Sequence, residues 1–259
     1  MSTDSQTAAS GDTARAGFAP KVTEVDDVLG DGIYAVTYTE PVAERRQEFL
    51  QLRAELQTSK AAPWWDLWAV ARTVYLQRRL TDIPQEVRWT DTVENLWCLE
   101  GMEAVLTHAL KGSSYSAVLY MGLIDDTGYG YAGANGSGVD KDNLASAIVA
   151  AGSSTPANGW NEVPSSTVSA RGVPSFGTAS SSGVNADLVT VAEDFATLET
   201  NTIKGCFMLI KSKGGTDPTG TVGNTSGALL SAGLFTGGDQ AVSASGTLSV
   251  TYTARLTTV

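Results

Sequence analysis

Histidine, cysteine and basic residues are all scarce in this 259-residue chain, and each scarcity removes a class of function. His108 is the single histidine, so a His-dependent triad or an imidazole metal site would have to run through it. Cys98 and Cys206 are the two cysteines. Neither their number nor their spacing makes a disulfide framework or a zinc site. Both sit in apolar runs, so buried free thiols are expected, which suits assembly in a reducing cytosol.

Seventeen Lys and Arg stand against 28 Asp and Glu, a net charge of −11. A nucleic-acid binder needs a basic footprint, and none is present. Arg45-Arg46 and Arg78-Arg79 are isolated pairs inside helical patterns and read as solvated helix faces. An acidic surface also disfavours anionic membranes, and no apolar run approaches the roughly 20 residues that span a bilayer. The first residues lack the basic start and apolar core of a secretory signal. Expected, therefore, are no direct nucleic-acid contact and no membrane contact.

What is present is a chain of two characters. Residues 1–30 are rich in Ser, Thr, Ala, Gly and Asp and read as an extended arm, too polar to build a core alone. "GIYAVTYT" (32–39) reads as a short strand. Thr39-Glu40-Pro41 then resembles a helix start, with Thr39 capping and Pro41 in the first turn. Val42, Phe49, Leu52 and Leu56 follow at helical spacing. Pro63 opens a second helix, with Trp64, Leu67, Trp68, Ala71, Val74 and Tyr75 on one wide face. A third helix is expected from about Thr92 to Leu110, with Asp91 and Glu94 at capping-box spacing.

After Gly112 strands take over. "SAVLYMGLI" reads as a strand buried on both faces, and a short helix is expected over 142–150. Further strands are expected at "VPSFGTA", "ADLVTVAE", "NTIKGCFMLIK", "GALLSAGLF" and "TLSVTYTARL", with turns at Ser182-Gly183, Gly214-Gly215, Gly237-Gly238-Asp239 and Ser245-Gly246. The last strand alternates Leu248, Val250, Tyr252, Ala254 and Leu256 with Ser249, Thr251, Thr253 and Arg255, the mark of one buried and one wetted face. The fold class is therefore mainly β. An antiparallel β-sandwich or jelly-roll-like module at 112–259 is preceded by an arm (1–30) and a helical attachment region (31–111).

No residue pattern earns a catalytic, cofactor or metal assignment. His108 lies near a helix C-terminus with no G-x-S-x-G elbow in the chain and reads as a capping or core residue. "GYGYAGANGSG" (128–138) lacks a phosphate-binding lysine at the required spacing. Asp125-Asp126 and Asp140/Asp142 are calcium-like in chemistry but match no calcium loop. Trp64, Trp65, Trp68 and Trp160 offer stacking faces for a sugar, with Asp66 and Glu162 as the adjacent carboxylates. The simpler reading makes the helical tryptophans anchors of a small core or an interface.

"VENLWCLEGMEAVLTHAL", "YMGLID", "NGWNEV", "ARGVPSFGTAS", "IKGCFMLIKSKGGT" and "GALLSAGLFTGGDQAVSASGTLSVTYTARL" together resemble structural proteins of tailed-bacteriophage virions, over about residues 90–259. "DPTGTVGNTS" departs from that pattern as a loop insertion, and the first 90 residues are unmatched. The resemblance implies a non-enzymatic, cofactor-free component of a virus particle, made and assembled in the host cytoplasm. Its partners would be other virion proteins, the major capsid protein or neck and tail proteins, and further copies of itself. A capsid decoration or minor capsid protein gripping the shell through its N-terminal region comes first. A tail, neck or fibre component is the alternative, and a carbohydrate-binding module or glycosidase a distant one.

Overall fold

The computed structural model describes residues 31–60, 66–110, 119–126, 145, 148–149, 160–182 and 185–257. Along the chain these form β1 (Asp31–Pro41), a 3-10 turn (Ala43–Arg45), α1 (Arg46–Lys60), α2 (Leu67–Thr81), β2 (Gln85–Trp97), α3 (Leu99–Leu110), β3 (Tyr120–Asp125), β4 (Ile148–Val149), β5 (Trp160–Asn161), β6 (Ser180–Ser182), β7 (Asn185–Val189), β8 (Glu193–Ala196), β9 (Asn201–Ile210), β10 (Ala228–Leu234), β11 (Gln240–Val242) and β12 (Thr247–Thr257). The protein is mainly β, with a helical segment towards its N-terminus.

One antiparallel sheet carries the fold. β3 and β10 pair with opposite edges of β9, and β11 continues the line of β10 along the lower part of β9. β10 then meets β2, β2 pairs with β1, and β1 with β12. β7 and β8 share the far edge of β12. Period-2 patterning explains why these strands form. Tyr34, Val36 and Tyr38 of β1 and Leu248, Val250 and Tyr252 of β12 all point into one core. Met121, Leu123, Cys206, Met208, Ile210 and Leu230 join the same core from the other end of the sheet. Tyr34 Oη meets Ser231 Oγ at 2.7 Å across that core. The two halves of the sheet thus face each other in a sandwich-like arrangement.

The chain between β5 and β7 links the two sheet edges. Met121 and Gly172 exchange both backbone hydrogen bonds at 2.9 Å. On the other side, Val191 N donates to Ser175 O and Gly177 N to Val189 O, each at 2.8 Å. The edge of β3 and the edge formed by β7 and β8 therefore find partners on one segment, which leaves less unpaired backbone for other chains to add to. A second cluster lies on the opposite face of β9 and β10, where Cys98, Ile124, Ile148, Trp160, Phe207, Leu209 and Leu229 pack together. α3 lies over β10 so closely that a Cβ on Gly101 would overlap the backbone of Leu229 and Leu230. The short β4–β5 pair is parallel.

Several sequence-based expectations are corrected. Thr39, Glu40 and Pro41 do not start a helix; they end β1, paired with Val87, Glu86 and Gln85. Residues 92–97 are strand, and the third helix begins at Leu99. Asp91 caps no helix: its carboxylate accepts from Gly237 N and Gln240 Nε2. "VPSFGTA" makes one isolated bridge, Phe176 to Thr190, rather than a regular strand. Of the helix expected at 142–150, Ile148 and Val149 are strand and most of the rest lies outside the described residues. The expected division at residue 112 does not follow the sheet, because β1 and β2 are its middle strands. The arm at 1–30 lies outside the described residues.

Candidate interaction surface

α1 and α2 form a hairpin inserted between β1 and β2. Its base is closed by Val42 N donating to Pro84 O at 3.1 Å. A β-bulge helps to lock it. The β1–β2 register slips between Tyr38 and Thr39, leaving Arg88 as the extra residue, and the slip aims its guanidinium at Glu40. Glu40 is buried and accepts from Arg46 Nη2 at 2.6 Å, Arg88 Nε at 3.1 Å and Tyr38 Oη at 2.9 Å, and also from Ser243 Oγ. Burial pushes the Glu40 carboxyl up, but the bonds from Ser243 and Tyr38 and the two arginines outweigh it and hold the group below its ordinary value. α1 then crosses the neighbouring strand ends, where Arg53 Nη1 donates to Thr197 O at 3.0 Å.

The inner faces of the two helices are well matched. Asp66 caps α2 by accepting from Trp68 N and Ala69 N, both at 3.1 Å. Ser59 Oγ donates to Ala69 O at 3.0 Å and lies 2.8 Å from Thr73 Oγ1. Arg79 reaches Glu48 at 2.6 Å and Arg72 reaches Glu55 at 3.1 Å. Leu56 and Leu76 are the buried residues of the pair.

The outer face of α2 is different. Leu67 is 77% exposed, Trp68 87%, Val74 61% and Tyr75 56%. With Ala71 they make an apolar stripe along the helix, at positions i, i+1, i+4, i+7 and i+8. Between Leu67 and Thr81 the helix carries Arg72, Arg78 and Arg79 and no acid. Arg72 and Arg79 are held by α1, whereas Arg78 is exposed at the end of the stripe and makes no ion pair among the described residues. A groove of about 510 Å³ opens beside Trp68, lined by Glu55, Thr58, Ser59, Asp66, Ala69 and Arg72.

The other residues marked in the sequence are dispersed and engaged. His108 is buried, with Nε2 2.9 Å from Ser212 O. Trp160 is fully buried with its ring centre 5.9 Å from that of Phe207, so it cannot stack on a sugar. Glu162 is sealed against Arg171. Asp125 is buried and accepts from Asn201 Nδ2 at 3.0 Å. Cys98 and Cys206 are buried and form no disulfide, as expected, and burial pushes the Cys206 thiol far up. Trp64, Trp65, Asp140 and Asp142 lie outside the described residues. Among the described residues no group of three or more His, Cys, Asp or Glu could hold a metal ion, and no helix is long and apolar enough to cross a membrane.

Sequence reasoning found the apolar faces of the two helices. It missed the Glu40 clamp, whose members are 203 residues apart in the case of Ser243, and the Glu162–Arg171 pair. The features together define an antiparallel β body carrying a helical hairpin with one uncovered face. Comparison with protein families, with curated proteins and with solved structures gives no match.

Proposed function

We propose that this chain is a non-enzymatic structural component of a bacteriophage particle, a capsid decoration or minor capsid protein attached through its N-terminal region. The observation that carries the reading is the stripe Leu67, Trp68, Ala71, Val74 and Tyr75, uncovered on a hairpin that stands apart from the main core. Burying a large apolar side chain stabilises by about 1.5–3 kcal/mol. A helix leaving four such groups in water is suited to packing against another chain of an assembly. The resemblance of residues 90–259 to virion proteins supports the same reading. Its segments "NGWNEV" and "ARGVPSFGTAS" supply Trp160, Glu162, Arg171 and Gly172, which brace the β body. Such bracing suits a rigid particle subunit.

The test is incorporation. Particles assembled with wild-type chain and with Leu67→Ser/Val74→Ser chain are purified, and copies per major shell protein are counted by quantitative gel. Hundreds of wild-type copies, falling sharply in the variant, support decoration through the hairpin. A dozen or fewer wild-type copies would move the chain to the neck or tail. Full occupancy of the variant would overturn attachment through this face.

A further inference from the structure

The partner that covers the α2 stripe is identified by charge and by reach. The stripe is apolar and ends in the exposed Arg78; α2 carries no acid between Leu67 and Thr81, although Asp66 caps its start and Asp82 its end. Its complement is a short apolar segment that carries acids and no bases. Residues 22–29, "VTEVDDVL", have that composition: Val22, Val25, Val28 and Leu29, with Glu24, Asp26 and Asp27 between them. No Lys or Arg lies between Val22 and Asp31.

Reach works against a chain covering its own stripe with this segment. The segment joins the sheet at Asp31, and the hairpin leaves β1 at the opposite end, after Pro41. Those 11 residues of strand separate the two points by about 30 Å. α1 leaves from that far end of the sheet, where Arg53 Nη1 donates to Thr197 O at 3.0 Å. The middle of the segment, about five residues before Asp31, reaches no more than about 20 Å at full extension. It can, however, reach the hairpin of a neighbouring molecule.

We propose that the α2 stripe of one copy receives residues 22–29 of a second copy, linking subunits head to tail. The apolar residues of the segment cover Leu67, Ala71, Val74 and Tyr75, and its acids face Arg78 with Arg72 and Arg79 at the margin. Such a contact is heterologous, so it closes into a ring or runs on as a chain of subunits. The inference deepens the reading of the hairpin as an assembly element and rests on it. Its experiment uses purified chain without particles, so the two can fail separately.

The experiment is sedimentation of the full chain over a concentration series, with Arg78→Glu and Asp26→Lys/Asp27→Lys as variants. All positions lie on an exposed face or outside the described residues, and far-UV circular dichroism confirms the fold of each protein. Wild type is expected to associate with rising concentration. Each variant is expected to weaken association about ten-fold or more, because like charges then meet. Mixing the two variants is expected to restore it, since every arm then finds a hairpin of opposite charge. A wild type that stays monomeric overturns the proposal. So does association unchanged by either charge reversal, which would point to hairpin packing on hairpin, and so does a mixture that fails to recover.

Discussion

Arg171 grips Glu162 through two parallel N–H···O contacts of 2.7 Å, with both side chains sealed from solvent. The pair is fully furnished. Glu162 also accepts from Gly223 N at 2.6 Å, and Arg171 donates to Thr219 O at 3.1 Å and Asn224 O at 2.7 Å. Its guanidinium lies 5.5 Å from the centre of the Phe207 ring. Phe207 in turn covers Gly122, where any Cβ would overlap the ring. This cluster ties the loop after β10's partner β9 to the segment that joins the sheet edges.

Removing one partner of that pair leaves a buried charge alone. Arg171→Met is expected to cost about 3–5 kcal/mol in urea unfolding. Replacing both, as Arg171→Met with Glu162→Leu, is expected to recover a large part of the loss, because no charge is then stranded. If the double variant is as unstable as the sum of the single ones, the pair is not acting as a coupled unit.

Much of the sheet was legible because its strands alternate cleanly. β12 shows it best, with Leu248, Val250 and Tyr252 inward and their neighbours half-buried. β2 was hidden for a physical reason. Trp89 and Val93 belong to the core side, but Asp91 stands between them and breaks the apolar period. Asp91 is tolerated there because Gly237, in the distant turn after β10, and Gln240, the first residue of β11, bond its carboxylate. Local pattern carries no trace of such partners. The uncovered face of α2 was legible, since spacing alone puts Leu67, Trp68, Val74 and Tyr75 together. What lies beneath the hairpin was not, because Glu40, Arg88 and Ser243 meet only through the register of the sheet.

The Glu40 clamp sets an acid sensitivity. Its carboxyl titrates lower in the folded protein than in the unfolded chain. The folded state therefore binds fewer protons, and the clamp's contribution is complete above the ordinary carboxyl value and fades as pH falls through the lowered one. Unfolding free energies of wild type and Glu40→Gln should thus differ most near neutrality and converge as pH falls through the lowered carboxyl value. A gap between the two proteins that is independent of pH would refute this account.

The two sides of α2 should respond oppositely to truncation. Leu76 is buried against α1, so Leu76→Ala is expected to cost about 2–5 kcal/mol. Leu67→Ser and Val74→Ser touch only the exposed stripe and are expected to stay within about 0.5 kcal/mol of wild type. Chemical denaturation of the three variants decides it. Comparable losses at Leu76 and Val74 would mean that the stripe is covered within the folded chain itself.

The topology also determines where the chain can be cut. A fragment of residues 112–259 lacks β1 and β2, and without them β12 loses the partner of its inner edge and β10 loses β2. Tyr34, Val36, Tyr38 and Val93 leave the core at the same time. That fragment is expected to be aggregated or molten, with no cooperative thermal transition. The hairpin, by contrast, is an insertion. Pro41 and Gln85 are paired residues, and Val42 N already bonds Pro84 O across the base. Replacing residues 43–83 with a short Asn-Gly turn should let β1 run directly into β2, because such turns match the twist of paired strands. The variant loses Arg46 from the Glu40 clamp but keeps Arg88, Tyr38 and Ser243 around the carboxylate. It is expected to unfold cooperatively and to stay monomeric. Failure of the excised protein to fold, beside a cooperative 112–259 fragment, would reverse the assignment of β1 and β2 to the body and return them to the attachment region.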